Sequence, residues 1–382
     1  MIEDLEAVPI DYTLLNSSAL FVQGVDVPQP QILDIALQWD LFERAHALFQ
    51  AESPIEHHGH WARFSSVRGP LTLSFFCYYN TVIVTDPDRL LVPYRGLHIW
   101  VKALDYFTRT LSADDPLFST IKAHLRALQA YSSQLNELAW NQDAYDAWVQ
   151  RFGTPQEAGA RIKKDPRLAS LSSYLEPLAG KTVINLLGSH GAKAVAMALL
   201  GAEVTVVDIS RENAHYANSV AHAAGAEIRY LVSDVLNLPE NELNASYDLV
   251  LMELGILHYF VDLEPLASVI AQLLRPGGRL VLQDFHPIST KLISSKGKKH
   301  KITGNYFDKS LIVTDVAFSK HLPTDQQDIS RQVYLRRWTL GEVVTAIAQA
   351  GLVIRRLDEE PNSKIDDIGL PKTFTLVAEK PA

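Results

Sequence analysis

Cysteine is almost absent from this chain. Cys77 is the only one among 382 residues, which excludes a disulfide framework and any zinc site built on cysteine. No metal site is expected, and a lone thiol suits a reducing, cytoplasmic setting. Positive charge is also scarce. Lys and Arg number 35 against 44 Asp and Glu, a formal net charge of −9, which disfavours a nonspecific hold on nucleic acid. Long apolar runs are missing as well. No stretch of about 18 apolar residues occurs, and the opening Met1-Ile2-Glu3-Asp4-Leu5-Glu6 is acidic where a secretory leader is basic. The expected partners therefore exclude nucleic acid and membrane, leaving a small molecule. Internal repeats and low-complexity tracts are absent too. Hydrophobic surface, by contrast, is ample. At 47% hydrophobic residues, the chain can bury two cores, or one core with a large extension.

Three zones differ in pattern. Residues 1–133 carry no recognisable motif and read as a mixed, largely helical extension, suited to covering a pocket or to forming a homodimer. Within it, Gln31 to Ala51 has helical spacing through Ile32, Ile35, Leu37, Leu41, Phe42, Ala45 and Phe49. Leu71 to Thr85 reads as one or two strands, and Leu97–Leu111 and Phe118–Leu138 as helices. Residues 134–178 are helical and include Trp140-Asn141-Gln142-Asp143-Ala144-Tyr145-Asp146-Ala147-Trp148. Beyond them, strand and helix alternate. Strands are expected at Thr182–Leu187, Glu203–Asp208, Glu227–Ser233, Tyr247–Glu253 and Gly278–Asp284, then at Leu352–Leu357 and Thr373–Glu379. That alternation predicts an α/β fold, a doubly wound, mostly parallel seven-stranded sheet.

In such sheets ligands bind beyond the carboxyl ends of the strands, where strand order reverses. The first strand runs into Asn185-Leu186-Leu187-Gly188-Ser189-His190-Gly191, whose small residues let a ligand approach the backbone. A tight strand-to-helix connection would look the same. Asp208 ends the second strand, where a carboxylate can accept ribose hydroxyls or simply cap a helix. Asp234 ends the third and can meet an adenine amino group. Each is weak alone; three at successive strand ends are not. A dinucleotide-type G-x-G-x-x-G is not supplied by Leu187-Gly188-Ser189-His190-Gly191-Ala192, so a dehydrogenase fits poorly.

Together with Tyr247-Asp248-Leu249-Val250 and Leu274-Arg275-Pro276-Gly277-Gly278-Arg279-Leu280, these features make residues 134–382 resemble the class I S-adenosylmethionine-dependent methyltransferases. The resemblance implies a Rossmann-like sheet closed by a C-terminal antiparallel hairpin, cap helices over 134–178, and S-adenosylmethionine as cofactor. It also implies that Gly188 and Gly191 border the methionine moiety, Asp208 holds the ribose, and Asp234 meets the adenine. Ile209, Val235 and Glu253 join that set, with Trp140, Asn141 and Tyr145 from the cap. The first turn departs from the family's D-x-G-x-G-x-G: Asn185, Leu187 and Ser189 stand where an acid and two glycines are usual. Asn185 keeps a hydrogen bond to an ammonium group without the charge, and Ser189 offers a hydroxyl to a carboxylate.

Methyl transfer from a sulfonium needs in-line approach and exclusion of water more than covalent help. Aromatic walls serve both needs and attract the cation; Trp140, Ala144 and Trp148 equally make the core stripe of an amphipathic helix. His258, after the fourth strand, and His286, after the fifth, are candidate bases, each equally readable as structural. Tyr174 is a candidate for facing the sulfonium. Ser294 to Lys301 reads as a basic surface loop, and Arg336 or Arg337 as a clamp for a substrate carboxylate. The expected function is methyl transfer to a small metabolite. The alternatives are a cyclase that closes a ring from the cofactor itself, as in azetidine-2-carboxylate formation with methylthioadenosine release, and a noncatalytic binding protein.

Overall fold

The computed structural model describes the chain except for residues 297–298, 324–330 and 362–368. It divides into two compact units, residues 1–128 with 307–310, and residues 129–306 with 311–382. The 25-residue helix Pro116–Trp140 runs through the boundary. Among the described residues, no helix is long and apolar enough to cross a membrane.

The first unit is mixed, as expected, but holds more strand than its sequence suggests. Its sheet contains β1 (Tyr12–Leu14), β2 (Ile32–Leu37), β3 (Glu56–His58), β4 (Trp61–Arg68), β5 (Leu71–Tyr78), β6 (Arg89–Tyr94) and β7 (Leu97–Lys102), in the order β3-β4-β5-β2-β1-β7-β6. Two expectations need correcting. Ile32–Leu37 was expected to be helical, yet it is a strand held on both sides, Leu37 opposite Tyr12 and Ile35 beside Phe75. Six residues are too few to separate a helical from a strand period when nearly all are apolar. Leu97–Lys102 was also expected to be helical. It pairs with β6 through a two-residue turn, Arg95-Gly96, in which both residues have positive φ, 49° and 83°. That left-handed pair matches the twist of a hairpin, and the helix begins only at Leu104. Lys309 belongs to this unit through ion pairs with Asp88 at 2.7 Å and Asp105 at 2.5 Å.

The second unit is built as its alternating pattern dictates. Its strands are β8 (Thr182–Leu186), β9 (Glu203–Asp208), β10 (Arg229–Val232), β11 (Tyr247–Glu253) and β12 (Leu274–Phe285). After two small hairpins, β13 (Ile293–Lys296) with β14 (Lys299–Ile302) and β15 (Leu311–Asp315) with β16 (Gln332–Arg336), come β17 (Val353–Pro361) and β18 (Pro371–Glu379). The large sheet runs β10-β9-β8-β11-β12-β18-β17. It is parallel from β10 to β12, and β18 is antiparallel to both β12 and β17. Strand order therefore reverses between β8 and β11, which is where such sheets bind ligands. Alternate residues feed two faces: Ile184, Leu186, Val207 and Met252 pack with the helices Leu263–Leu273 and Leu340–Gln349, while Val183, Val206 and Leu251 pack against Ala194 and Met197. The stretch expected to be a basic loop is mostly the β13–β14 hairpin; Gly297 and Lys298 lie outside the described residues.

Candidate functional site

The turn after β8 is shaped by packing from below. Gly188 has no room for a side chain, since a Cβ there would stand 2.6 Å from Val206 Cγ1 and 2.8 Å from Asn185 Oδ1. At Gly191, φ is +74° and a Cβ would stand 2.5 Å from Ala217 Cβ of the helix Arg211–Ala224. Close seating of the turn on its neighbours thus requires both glycines. Leu187 and Ser189 adopt positive φ without being glycine, at 50° and 48°, a conformation that costs about 1–2 kcal/mol per residue. Ser189 is held there at both ends. Its N–H donates to Asp208 Oδ2 at 3.0 Å, and its carbonyl accepts from the Tyr230 hydroxyl at 2.7 Å. Asn185 is buried and donates to the Leu251 carbonyl at 3.2 Å, so its amide ties β8 to β11.

Three carboxylates stand at or just beyond the carboxyl ends of β9, β10 and β11, with β8 between β9 and β11. Asp208 is buried; Oδ1 accepts from the Ser210 N–H and Asn213 Nδ2, both at 3.0 Å, and Oδ2 from Ser189. Burial raises its pKa, against the lowering by these hydrogen bonds. A carboxylate offers about four acceptor sites, so Oδ2 keeps room for one further donor. Ile209 follows it, half-buried. Asp234 caps the short helix Val235–Asn237 by accepting from the Leu236 N–H at 2.9 Å through Oδ1, and Val235 is buried beside it. Glu253, at the end of β11, accepts no hydrogen bond among the described residues. Its contact is Lys193 Nζ at 3.7 Å, and burial raises its pKa while Lys193 opposes the rise.

The cap docks directly behind β9. The Trp140 carbonyl accepts from Ser210 Oγ at 2.8 Å, Asn141 Oδ1 accepts from the Arg211 N–H at 2.8 Å, and the Tyr145 N–H donates to Glu212 at 2.9 Å. Trp148 donates to Asn213 Oδ1 at 2.7 Å, so cap and Asp208 share a hydrogen-bonded neighbour. Tyr145 stacks on His215, and Trp140 stacks on Trp148. His190 lies against Trp148 and Phe152, and burial there pulls its imidazole down to about 4. It is neutral at pH 7. Trp140 also donates to the Tyr259 hydroxyl at 3.1 Å. Burial raises the Tyr259 phenol, and Asp208 and Asp284 both add to that rise.

Beyond Tyr259, a cavity of about 460 Å³ opens past β11 and β12, with His258, Asp284, Phe285, Arg337 and Trp338 among its lining residues. Asp284 organises it. Leu254 and Gly255 take successive left-handed conformations, φ 50° and 75°, wrapping the chain so that backbone N–H groups converge on the carboxylate. Asp284 accepts from Gly255 at 2.6 Å, Phe285 at 2.7 Å, Leu257 at 3.2 Å and Ile256 at 3.4 Å. The His258 ring packs on Tyr259 with centroids 4.5 Å apart. Burial lowers the His258 pKa; Asp284 opposes this and Arg337 adds to it.

The structure separates the other two catalytic candidates from this cavity. His286 is buried, its Nδ1 accepting from the Ile288 N–H at 3.2 Å and its Nε2 lying 2.7 Å from Glu359 of β17. It fastens β12 to the C-terminal hairpin. Tyr174 donates to Asp358 and lies under Arg356, so it serves the same hairpin. Asp284 is the residue that the sequence reading passed over. It ends the expected strand Gly278–Asp284, two residues before His286, but its role depends on the Leu254-Gly255 turn that follows β11.

Residues 187–282 match the family model described as "Methyltransferase domain". The chain is similar to 27-O-demethylrifamycin SV methyltransferase of Amycolatopsis mediterranei, 30% identical over 164 residues, which are 42% of this chain and 57% of that protein. It is also similar to the ubiquinone biosynthesis O-methyltransferase of Xanthomonas axonopodis pv. citri, 32% identical over 120 residues, 31% of this chain and 49% of that protein. A third relative is the demethylmenaquinone methyltransferase of Thermus thermophilus, 36% identical over 87 residues, 23% of this chain and 38% of that protein. The chain spans about half the length of the first two curated relatives it matches and less of the third.

Proposed function

The C-terminal unit belongs to the class I S-adenosylmethionine-dependent methyltransferase family, and from that premise we propose that the chain transfers a methyl group from this cofactor to an oxygen of a small-molecule acceptor. The observation that carries the proposal is the set of Asp208, Asp234 and Glu253 at the carboxyl ends of β9, β10 and β11, on either side of β8 and its glycine-bearing turn, with a cavity lined by His258 past β11. The donor and acceptor chemistry fits the cofactor. Asp208 Oδ2 has one acceptor site open for a ribose hydroxyl, and Asp234 stands where an adenine amino group can donate. Glu253 and Lys193, a carboxylate and an ammonium 3.7 Å apart, match the ammonium and carboxylate of a methionine moiety. In this reading Trp140, Asn141 and Tyr145 cover the crest, and Ile209 and Val235 flank the base.

S-Adenosylmethionine, when bound, supplies an electrophilic methyl group on a sulfonium centre. The remaining work falls to the chain. The aromatic cap excludes water, and Tyr259 separates the crest from the acceptor cavity. His258 accepts the acceptor's hydroxyl proton, a task suited to an imidazole kept neutral at pH 7. The three relatives are named as methyltransferases acting on distinct small molecules, which favours transfer to an acceptor over cyclisation of the cofactor. Isothermal titration of the full chain with S-adenosylhomocysteine tests the reading. Saturable binding that Asp208→Ala weakens about 10- to 100-fold is expected, because the change removes an acceptor from buried donors; absence of binding to folded protein contradicts it.

A further inference from the structure

The charged groups around the acceptor cavity are not equivalent. Asp284 is fully engaged by four backbone N–H groups, so it has little left to offer a ligand. Arg336 is buried and committed: it donates to the Val261 carbonyl at 2.7 Å, pairs with Glu342 at 3.1 Å and lies 3.7 Å from the Trp338 ring centroid. Its neighbour Arg337 differs. It lines the cavity, donates to the Thr290 carbonyl, and pairs with no carboxylate among the described residues. The Thr290 bond uses one of the five N–H donors of a guanidinium, whose fork matches a carboxylate. The walls next to it are apolar and partly aromatic, with Phe285 40% exposed at its edge. Arg337 is itself exposed, so what it offers an anion is the geometry of a charge-assisted, bidentate pair.

We infer that this cavity selects an acceptor with a flat apolar body and a carboxylate, the carboxylate held by Arg337. The inference deepens the methyl-transfer reading and rests on it for the word acceptor, but the anion site itself does not depend on the cofactor. The fork of Arg337 supplies charge and direction, while Trp338 and Phe285 supply the surface for the body of the ligand.

Matched probes test this. Binding of 4-hydroxybenzoate and 3,4-dihydroxybenzoate to the full chain, with and without S-adenosylhomocysteine, is compared by calorimetry with that of their primary amides. The carboxylates are expected to bind about tenfold or more tightly than the amides, as a charge-assisted pair implies. Arg337→Met should bring acid and amide to near-equal affinity, and Arg337→Lys should restore part of the preference. Unchanged thermal melting of both variants shows that folding is intact. Equal binding of acids and amides, binding of neither, or a preference that survives Arg337→Met overturns the inference. S-Adenosylhomocysteine binding without carboxylate selectivity defeats this inference alone. Carboxylate selectivity through Arg337 without S-adenosylhomocysteine binding defeats the cofactor reading and leaves the anion site standing.

Discussion

Each charged or titratable side chain at the site is set by what already holds it. Asp208 spends three acceptor positions on Ser189, Ser210 and Asn213, so it positions the turn as much as it binds. Burial of His258 lowers its pKa below the ordinary value near 6.5, with Asp284 opposing and Arg337 reinforcing. A base is active when unprotonated, so kcat/KM should rise with pH below 6.5 and be flat at neutrality. His258→Gln should lower kcat by about 10²–10⁴ and abolish that acid limb, read from the pH–rate profile. His190 gives a stability prediction of defined sign. Its folded value of about 4 lies below the unfolded one, so the unfolded chain binds the extra proton and stability declines as pH falls from 6.5 toward 4. His190→Gln should flatten that decline by about 1–3 kcal/mol, measured by urea unfolding at pH 4.5 and 7. Acids at strand ends and His258 after β11 were visible in the sequence as positions. Their partners were not, because Asn213 and Gly255 reach Asp208 and Asp284 only through the fold. His286 and Tyr174 misled for the same reason: a His or Tyr near a strand end looks alike whether it faces a cavity or fastens a hairpin.

Elements were legible where one period dominated. The parallel strands of the second sheet follow apolar runs, and β8 to β12 lie within a few residues of their expected limits. β2 and β7 were not legible, since each is a six-residue strand leading toward a helix; β2 pairs with partners distant in sequence, and β7 pairs with β6 across a two-residue turn. Tertiary pairing decided them. The turn after β8 shows how an element depends on one absent atom. Gly191→Ala places a methyl group 2.5 Å from Ala217 Cβ at φ +74°, combining overpacking of about 1–3 kcal/mol with a left-handed cost of about 1 kcal/mol. Denaturant unfolding should show a loss of at least about 2 kcal/mol; a neutral effect would mean that the helix Arg211–Ala224 can move away freely.

At the scale of the molecule, each unit has its own seven-stranded sheet and its own buried core. Only the second has acids aligned on a strand-order reversal. The sequence showed this asymmetry plainly, because residues 182–379 carry the alternating pattern and residues 1–128 carry no motif. A ligand that binds the native state stabilises it by about 2.7 kcal/mol at a concentration of 100 Kd. S-Adenosylhomocysteine at that concentration should therefore raise the melting temperature of the wild-type chain, and raise that of Asp208→Ala by half as much or less, since binding 10- to 100-fold weaker leaves about 0.4–1.4 kcal/mol. The most direct measurement is the structure of the full chain crystallised with S-adenosylhomocysteine. The account predicts adenosine lying over β8 and β9, one ribose hydroxyl on Asp208 Oδ2, and the sulfur directed toward the His258 cavity. Density for the nucleoside anywhere else, or no density over β8 and β9 in crystals soaked to saturation, would contradict it.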